Sequence, residues 1–243
     1  MQLSKNTVLI TGGSSGIGSA MAERLLALDN EVIVTGRHEK ALLDFKAKHP
    51  RIHIRVSDAG TAADRIALTH DVLREFPTLN VLINNAGIQR KIDMAANESW
   101  EEREREISIN LSGPIHFCAL FVPHLQGQVR PLIVNVSSGL AFVPLARVPV
   151  YCATKAGLHS FTMSLREQLK QSPIAVTEII PPAVKTNLGG AHDFGEELDD
   201  FTDSVIEQLG ADAREITFGT STKFSGFSRS ESDEMFRRIN GPM

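Results

Sequence analysis

Thr7-Val8-Leu9-Ile10-Thr11-Gly12-Gly13-Ser14-Ser15-Gly16-Ile17-Gly18 is the stretch on which the fold turns. Its first four residues form an apolar, β-branched run that suits a strand. From Ile17 onward, Met21, Leu25 and Leu28 recur every three or four residues, the stripe of an amphipathic helix. Between them lies a turn of glycines and serines. Gly12, Gly16 and Gly18 permit positive φ and close backbone approach, and the helix start offers free N–H groups and partial positive charge beside Ser14, Ser15 and Ile17. A glycine-rich turn alone can be purely structural. A strand before it and a helix after it make a dinucleotide pyrophosphate the fitting ligand. No Gly-Lys-Ser/Thr is present in the turn, which excludes a P-loop.

The strand-then-helix alternation continues. Short β-branched runs recur at residues 32–35, 52–56, 81–83, 132–136, 175–180 and 216–218, with longer helical patterns between them. Several are apolar at nearly every position, as strands covered on both faces must be. The expected architecture is α/β: a Rossmann-type doubly wound parallel sheet of about seven strands in a single domain spanning 1–243. A cofactor half occupies about 1–110 and a catalytic and substrate half about 111–243. After 216–218 comes a Gly/Ser/Thr-rich stretch, then a helical pattern over 231–240 stopped by Gly241-Pro242. The segment from Thr186 to Asp203 carries Gly189-Gly190, Gly195 and the acids Glu196, Glu197, Asp199 and Asp200 without a clear period. It reads as a mobile lid, placed at about 186–208, or else as a solvated helix of no special role.

Composition narrows the partners. The formal charge is −4, with basic and acidic residues interspersed, so there is no basic footprint for nucleic acid. No apolar run approaches the roughly 18 residues that span a bilayer, and the opening run is too short for a signal peptide, so no membrane insertion and a cytoplasmic protein are expected. Two cysteines, Cys118 and Cys152, are too few for a disulfide scaffold and read as buried thiols. Asn-x-Ser triplets at Asn97, Asn110 and Asn135 matter only in a secreted chain. No set of metal ligands stands out, and no metal is expected.

At the end of the second strand, a site for NAD would place an acid to bind ribose hydroxyls, but this chain has Gly36-Arg37. A guanidinium there suits the 2′-phosphate of NADP(H), or is a solvated charge at a strand end. The missing acid also weakens an S-adenosylmethionine methyltransferase reading. Tyr151, the sole tyrosine, and Lys155 lie four residues apart on one helix face. Alone, such a pair is an ordinary helix-surface contact.

Joined to the glycine turn, Asn84-Asn85-Ala86-Gly87 after the fourth strand, Asn110, Ser138 and Tyr151-Cys152-Ala153-Thr154-Lys155 stand in the order and approximate spacing of the short-chain dehydrogenase/reductase family, which the chain resembles over most of its first 190 residues. Gly87-Ile88-Gln89-Arg90, residues 136–144 and Pro181-Pro182-Ala183-Val184 resemble more narrowly the DltE-like branch of bacterial oxidoreductases.

The resemblance implies hydride exchange between NADP(H) and a small-molecule carbonyl or alcohol. Tyr151 would be the acid/base, ionising unusually easily when oxidised cofactor is bound. Ser138 would orient the substrate oxygen, Lys155 would bind the nicotinamide ribose, and Asn110 would hold a water in a proton relay. Asn85, Ala86, Gly87 and Asp58 would lie along the adenosine half, with Thr186 at the carboxamide or phosphates. Family members usually have Pro-Gly after the sixth strand, whereas this chain has Pro181-Pro182, which moves the carboxamide contact to the Val184 N–H.

An apolar wall is expected from Leu140, Phe142, Val143 and Leu145, with Arg90, Arg147 and His192 as polar neighbours. A homodimer or homotetramer is also implied, pairing helices near 111–125 and 153–169 through Leu158, Phe161 and Leu165. The alternative function is a catalytically silent NADP(H)-binding regulator or scaffold. That reading has no use for an acid/base set.

Overall fold

A strand turns successive side chains to opposite faces, so a run that is apolar throughout can feed two cores at once. The first strand, β1 (Thr7–Ile10), does this: Val8 and Ile10 join one buried cluster and Leu9 the other. The same split recurs in β2 (Glu31–Gly36), β4 (Val81–Asn84) and β5 (Leu132–Val136). In the computed structural model, which describes residues 2–96, 99–190 and 193–241, these join β3 (His53–Val56), β6 (Ala175–Ile180) and β7 (Glu215–Thr217). All pair in parallel in one seven-stranded sheet of order β3-β2-β1-β4-β5-β6-β7. The chain reverses its winding between β1 and β4, so the crevice at their carboxyl ends is the place for a ligand. Asn97, His192 and Pro242, singled out above, lie outside the described residues.

One core is closed by α1 (Gly16–Ala27), α2 (Glu39–Lys48) and α7 (Leu198–Gly210). The other is closed by α3 (Ala62–Glu75), α5 (Gly113–Leu125) and α6 (Pro149–Gln168). Helix α4 (Trp100–Ile107) runs into α5 through a π-helical turn, Ser108–Ser112. Cys118 and Cys152 are free, buried thiols, and burial pushes Cys118 up to about 12. No helix among the described residues is long and apolar enough to cross a membrane.

Three expectations need correction. The lid does not reach 208, because α7 begins at Leu198 and buries Phe201, Val205 and Leu209 against the sheet. From Leu198 onward the segment is therefore a core helix, neither mobile loop nor solvated helix. Its acids are partly answered from α1: Arg24 reaches Asp199 at 2.6 Å and Asp203 at 3.0 Å. Second, Leu158 and Leu165 face the chain's own core, with Phe161 packed on it. The exposed large apolar residues on these helices are Ile115 and Met163. Third, the stretch after β7 holds α8 (Thr220–Ser225), and α9 (Arg229–Asn240) begins before residue 231, under a capping box made by Ser228 and Glu231. Phe218 leaves the strand because Ser221 Oγ takes its N–H and donates to its carbonyl.

Candidate active site

The glycine turn follows β1 directly. Gly12 and Gly16 have φ of +66° and +55°, and a Cβ at Gly12 would sit 2.8 Å from Ala86 Cα. Neither position admits a side chain without strain. At Gly18 a Cβ would run into the Gly12 carbonyl and the Asn85 amide. Asn85 braces the turn, its Nδ2 donating to the carbonyls of Thr11 and Gly12, both at 3.0 Å. Thr11 Oγ1 accepts from the N–H groups of Asn85 and Ala86. Helix α1 starts without a side-chain cap on Ser15 and without an acid in its first turn, leaving its N–H groups and dipole to an anion. This cradle, open only where side chains are absent, fits a dinucleotide phosphate.

Arg37 is exposed at the end of β2, and its charge acts on Asp58 after β3. Although partial burial disfavours the charge, bonds from Arg105 at 2.6 Å and the Gly60 N–H at 2.9 Å hold Asp58 below the usual carboxylate range. Thr186 lies over the turn, its methyl 3.4 Å from where a Gly16 Cβ would be. Val184 forms a parallel bridge with Glu196, in which Glu196 N–H donates to Ala183 and Lys185 N–H to Glu196. In such a bridge the flanking residues make the bonds, so the Val184 N–H faces away from them. Lys185 also pairs with Glu197, so the loop above is tied at its neck.

The remaining motif residues meet in one buried pocket. Ser138, two residues beyond β5, caps the 3-10 turn Gly139–Ala141, its Oγ accepting from Leu140 N–H at 3.1 Å. The Ser138 side chain acts on the Tyr151 phenol, favouring its ionised form. Lys155 Nζ donates to the Val136 carbonyl at 2.7 Å and lies 5.6 Å from the Tyr151 ring centre. Asn110 sits in the π-turn, a widened stretch often found at functional sites. Its amide accepts from Ile88 N–H at 2.9 Å and donates to the Ile88 carbonyl at 2.8 Å and to Thr154 Oγ1. Gly87 lies between Asn110 and Lys155, with a Cβ site 3.5 Å from the one and 3.7 Å from the other. Burial pushes the Tyr151 phenol well above its ordinary range, opposed by the Ser138 side chain. Burial also brings Lys155 down to about 8, against the pull of Glu178 and Glu106.

The expected apolar wall is only half present. Leu140 and Leu145 pack with Val148, Tyr151 and Cys152. Val143 is fully buried, and the Phe142 ring stands edge-on to His159 at 4.7 Å, so neither belongs to that cluster. Arg90 is engaged by Glu102 at 3.0 Å, while Arg147 is exposed.

Two features escaped the sequence reading. Glu178, wholly buried on β6, accepts from His159 and holds the imidazole pKa above its ordinary value. With Glu215 these groups place potential ligand atoms within 4.8 Å of one another. His159 is committed to Glu178, and Arg166 stands 3.7 Å from Glu215, so the cluster reads as an ion-pair brace among α6, β6 and β7. The second feature is Glu106, wholly buried on α4. Its spacing of four residues from Asn110, one turn along the same helix face, was the available signal.

A family model described as short chain dehydrogenase matches residues 6–195. Over 99% of its length the chain is similar to the uncharacterized oxidoreductase DltE of Bacillus subtilis, at 43% identity and covering 98% of that protein. Among solved structures it is similar to a short chain dehydrogenase from Burkholderia cenocepacia in complex with NADP (TM-score 0.86, 22% identity, 100% of both chains). It is equally similar to one from Burkholderia phymatum in complex with NAD (TM-score 0.86, 20% identity, 100% of this chain and 99% of that one).

Proposed function

The chain belongs to the short-chain dehydrogenase family and is DltE-like within it, and from that premise we propose an NADP(H)-dependent oxidoreductase that interconverts a small-molecule carbonyl and its alcohol, with Tyr151 as acid/base. The observation that carries this reading is the meeting of Tyr151, Ser138, Lys155 and Asn110 in one buried pocket beside the glycine turn. The bound nicotinamide supplies or accepts the hydride. In the reductive direction the Tyr151 hydroxyl gives its proton to the substrate oxygen. The Ser138 hydroxyl donates to the same oxygen and stabilises its developing charge. Lys155, held by the Val136 carbonyl, keeps an ammonium beside the phenol and binds the cofactor ribose. Asn110 fixes the Ile88 backbone and, through it, the Gly87 wall of the pocket.

The cofactor is held by Gly12, Ser14, Ser15, Gly16, Ile17 and Gly18 at its phosphates. Arg37 and Asp58 lie at the adenosine end, Asn85, Ala86 and Gly87 along the floor, and Val184 and Thr186 at the carboxamide. Similar folds carry NADP in one solved relative and NAD in another, so the choice falls to Arg37, which stands where an acid would bind ribose hydroxyls. NADPH is expected to bind at least about tenfold tighter than NADH, a difference of about 1.4 kcal/mol. Arg37→Asp should erase or reverse that ratio. Fluorescence titration of both cofactors checks it, and equal or tighter NADH binding to the unaltered protein would reject NADP(H) as the cofactor. A carbonyl panel with NADPH separates the enzyme from a silent cofactor-binding scaffold.

The protein is placed in the cytoplasm and acts as a homodimer or homotetramer through α5 and α6, where Ile115 and Met163 are exposed. Light scattering at micromolar concentration should give a multiple of the 26.6 kDa chain mass, and a single monomer mass would refute the assembly.

A further inference from the structure

Glu106 lies beneath the reacting pocket without an evident use. Its side chain is wholly buried on α4. Oε1 accepts from the Arg90 backbone N–H at 3.2 Å, whereas Oε2 is buried and has no hydrogen-bond partner among the described residues. A buried charged group half-satisfied in this way is costly, and a purely structural role would be served better by an amide or an apolar side chain.

Its placement explains the cost. One turn along, Asn110 holds both backbone groups of Ile88, while Glu106 holds that of Arg90. The two side chains therefore grip one loop at alternate residues. That loop begins at Gly87 against Lys155, and its Gln89 side chain meets Gly189 in the loop above the site. Tyr151, Cys152 and Lys155 on α6 all feel the Glu106 charge. From the loop it is faced by Arg90, whose guanidinium is drawn off to Glu102.

We infer that Glu106 is a positioning residue of the reacting centre, a buried carboxyl that clamps the loop after β4 and, by holding or releasing one proton, switches the charge behind Tyr151 and Lys155. This rests on the function proposed above. Desolvation raises the carboxyl to about 7, against the bond from the Arg90 N–H and the charges of Arg90 and Lys155, so the switch operates near neutrality. Ionised Glu106 strengthens the ammonium and opposes tyrosinate. Protonated Glu106 does the reverse.

Two readouts need no turnover and so survive failure of the proposed activity. The first is infrared titration of the unaltered protein. It should show a protonated-carboxyl band persisting above the ordinary carboxylate range, with its midpoint near 7, and the band should be lost in Glu106→Gln. Arg90→Gln leaves the backbone bond in place and should move the midpoint upward, which carries the test if Glu106→Gln does not fold. The second is ultraviolet difference titration of Tyr151, the only tyrosine, in the NADP⁺ complex. Glu106→Gln should lower its midpoint by roughly half a pH unit or more, and Glu106→Asp, which keeps the charge, should restore it. The acid limb of the alcohol-oxidation rate should move with that midpoint, with NADPH affinity unchanged within about twofold. A protein with no such band, or a tyrosine midpoint identical in Glu106→Gln and the parent, would overturn the assignment.

Discussion

Tyr151→Phe is expected to lower carbonyl reduction with NADPH by about three orders of magnitude, roughly 4 kcal/mol of transition-state stabilisation, while NADPH affinity changes by no more than a few-fold. The substitution removes one oxygen from a pocket whose other members keep their partners: Lys155 stays bonded to the Val136 carbonyl, and Ser138 to the Leu140 N–H. Binding and chemistry should therefore separate. Without cofactor, burial pushes the phenol above its ordinary range, opposed by Ser138. The lone ammonium is itself brought down to about 8 by burial. Lys155 alone thus leaves tyrosinate unfavourable, and the positive charge of oxidised nicotinamide must help to lower the Tyr151 midpoint. Ultraviolet difference titration should show that midpoint lower in the NADP⁺ complex than in the free protein, higher again in Lys155→Met, and no titration in Tyr151→Phe. Undiminished turnover in Tyr151→Phe would remove the tyrosine from the mechanism.

Phe201→Ala should cost about 3–5 kcal/mol of stability, a fall in Tm on the order of 10 °C. Phe201 is fully buried in the core closed by α1, α2 and α7 and makes an edge-on ring contact with Phe218 at 6.0 Å. Truncation leaves a cavity that the parallel strands cannot close by shifting. Leu188→Ala, in the loop above the site and 37% exposed, should cost less than about 1 kcal/mol. Thermal melts at one protein concentration compare the two. Similar small losses would return the whole of 186–208 to a mobile lid.

The contrast between these residues shows where the sequence could be read and where it could not. Strands were legible because a parallel sheet covered on both faces demands runs such as Val8-Leu9-Ile10 and Leu132-Ile133-Val134. Glycines of the turn were legible because glycine meets the positive φ of Gly12 and Gly16 without strain and leaves room for Ala86 beside Gly12. Helix α7 was not, although Phe201, Val205 and Leu209 recur every four residues, because the acids from Glu196 to Asp200 mask the start of the stripe. Those acids find Arg24, which lies far away in the chain, and Lys185. Ser228 and Glu231 spelled a capping box that places the start of α9, but the surrounding small residues read as loop. Which face of α6 turns inward was hidden as well, so Leu158 and Leu165 read as surface residues. Glu106 closes the run Glu101-Glu102-Arg103-Glu104-Arg105-Glu106, whose pattern describes a solvated helix, and only tertiary packing shows that one acid of the series is inside.

The tied neck above the site has a consequence for how this scaffold can change. Ala183, Lys185 and Glu196 close the base of the loop by backbone bonds, and Gly195, at φ +110°, lets it return past the Ala183 carbonyl. The residues between them therefore form a cassette with fixed sockets. Doubling the length of such a closed segment costs only about 0.6 kcal/mol of chain entropy, so insertions, deletions or whole loops from relatives should transplant after Thr186 and before Gly195 while the sheet and the Tyr151 pocket stay in register. Gly195 and the two sockets are the parts that any such exchange must keep.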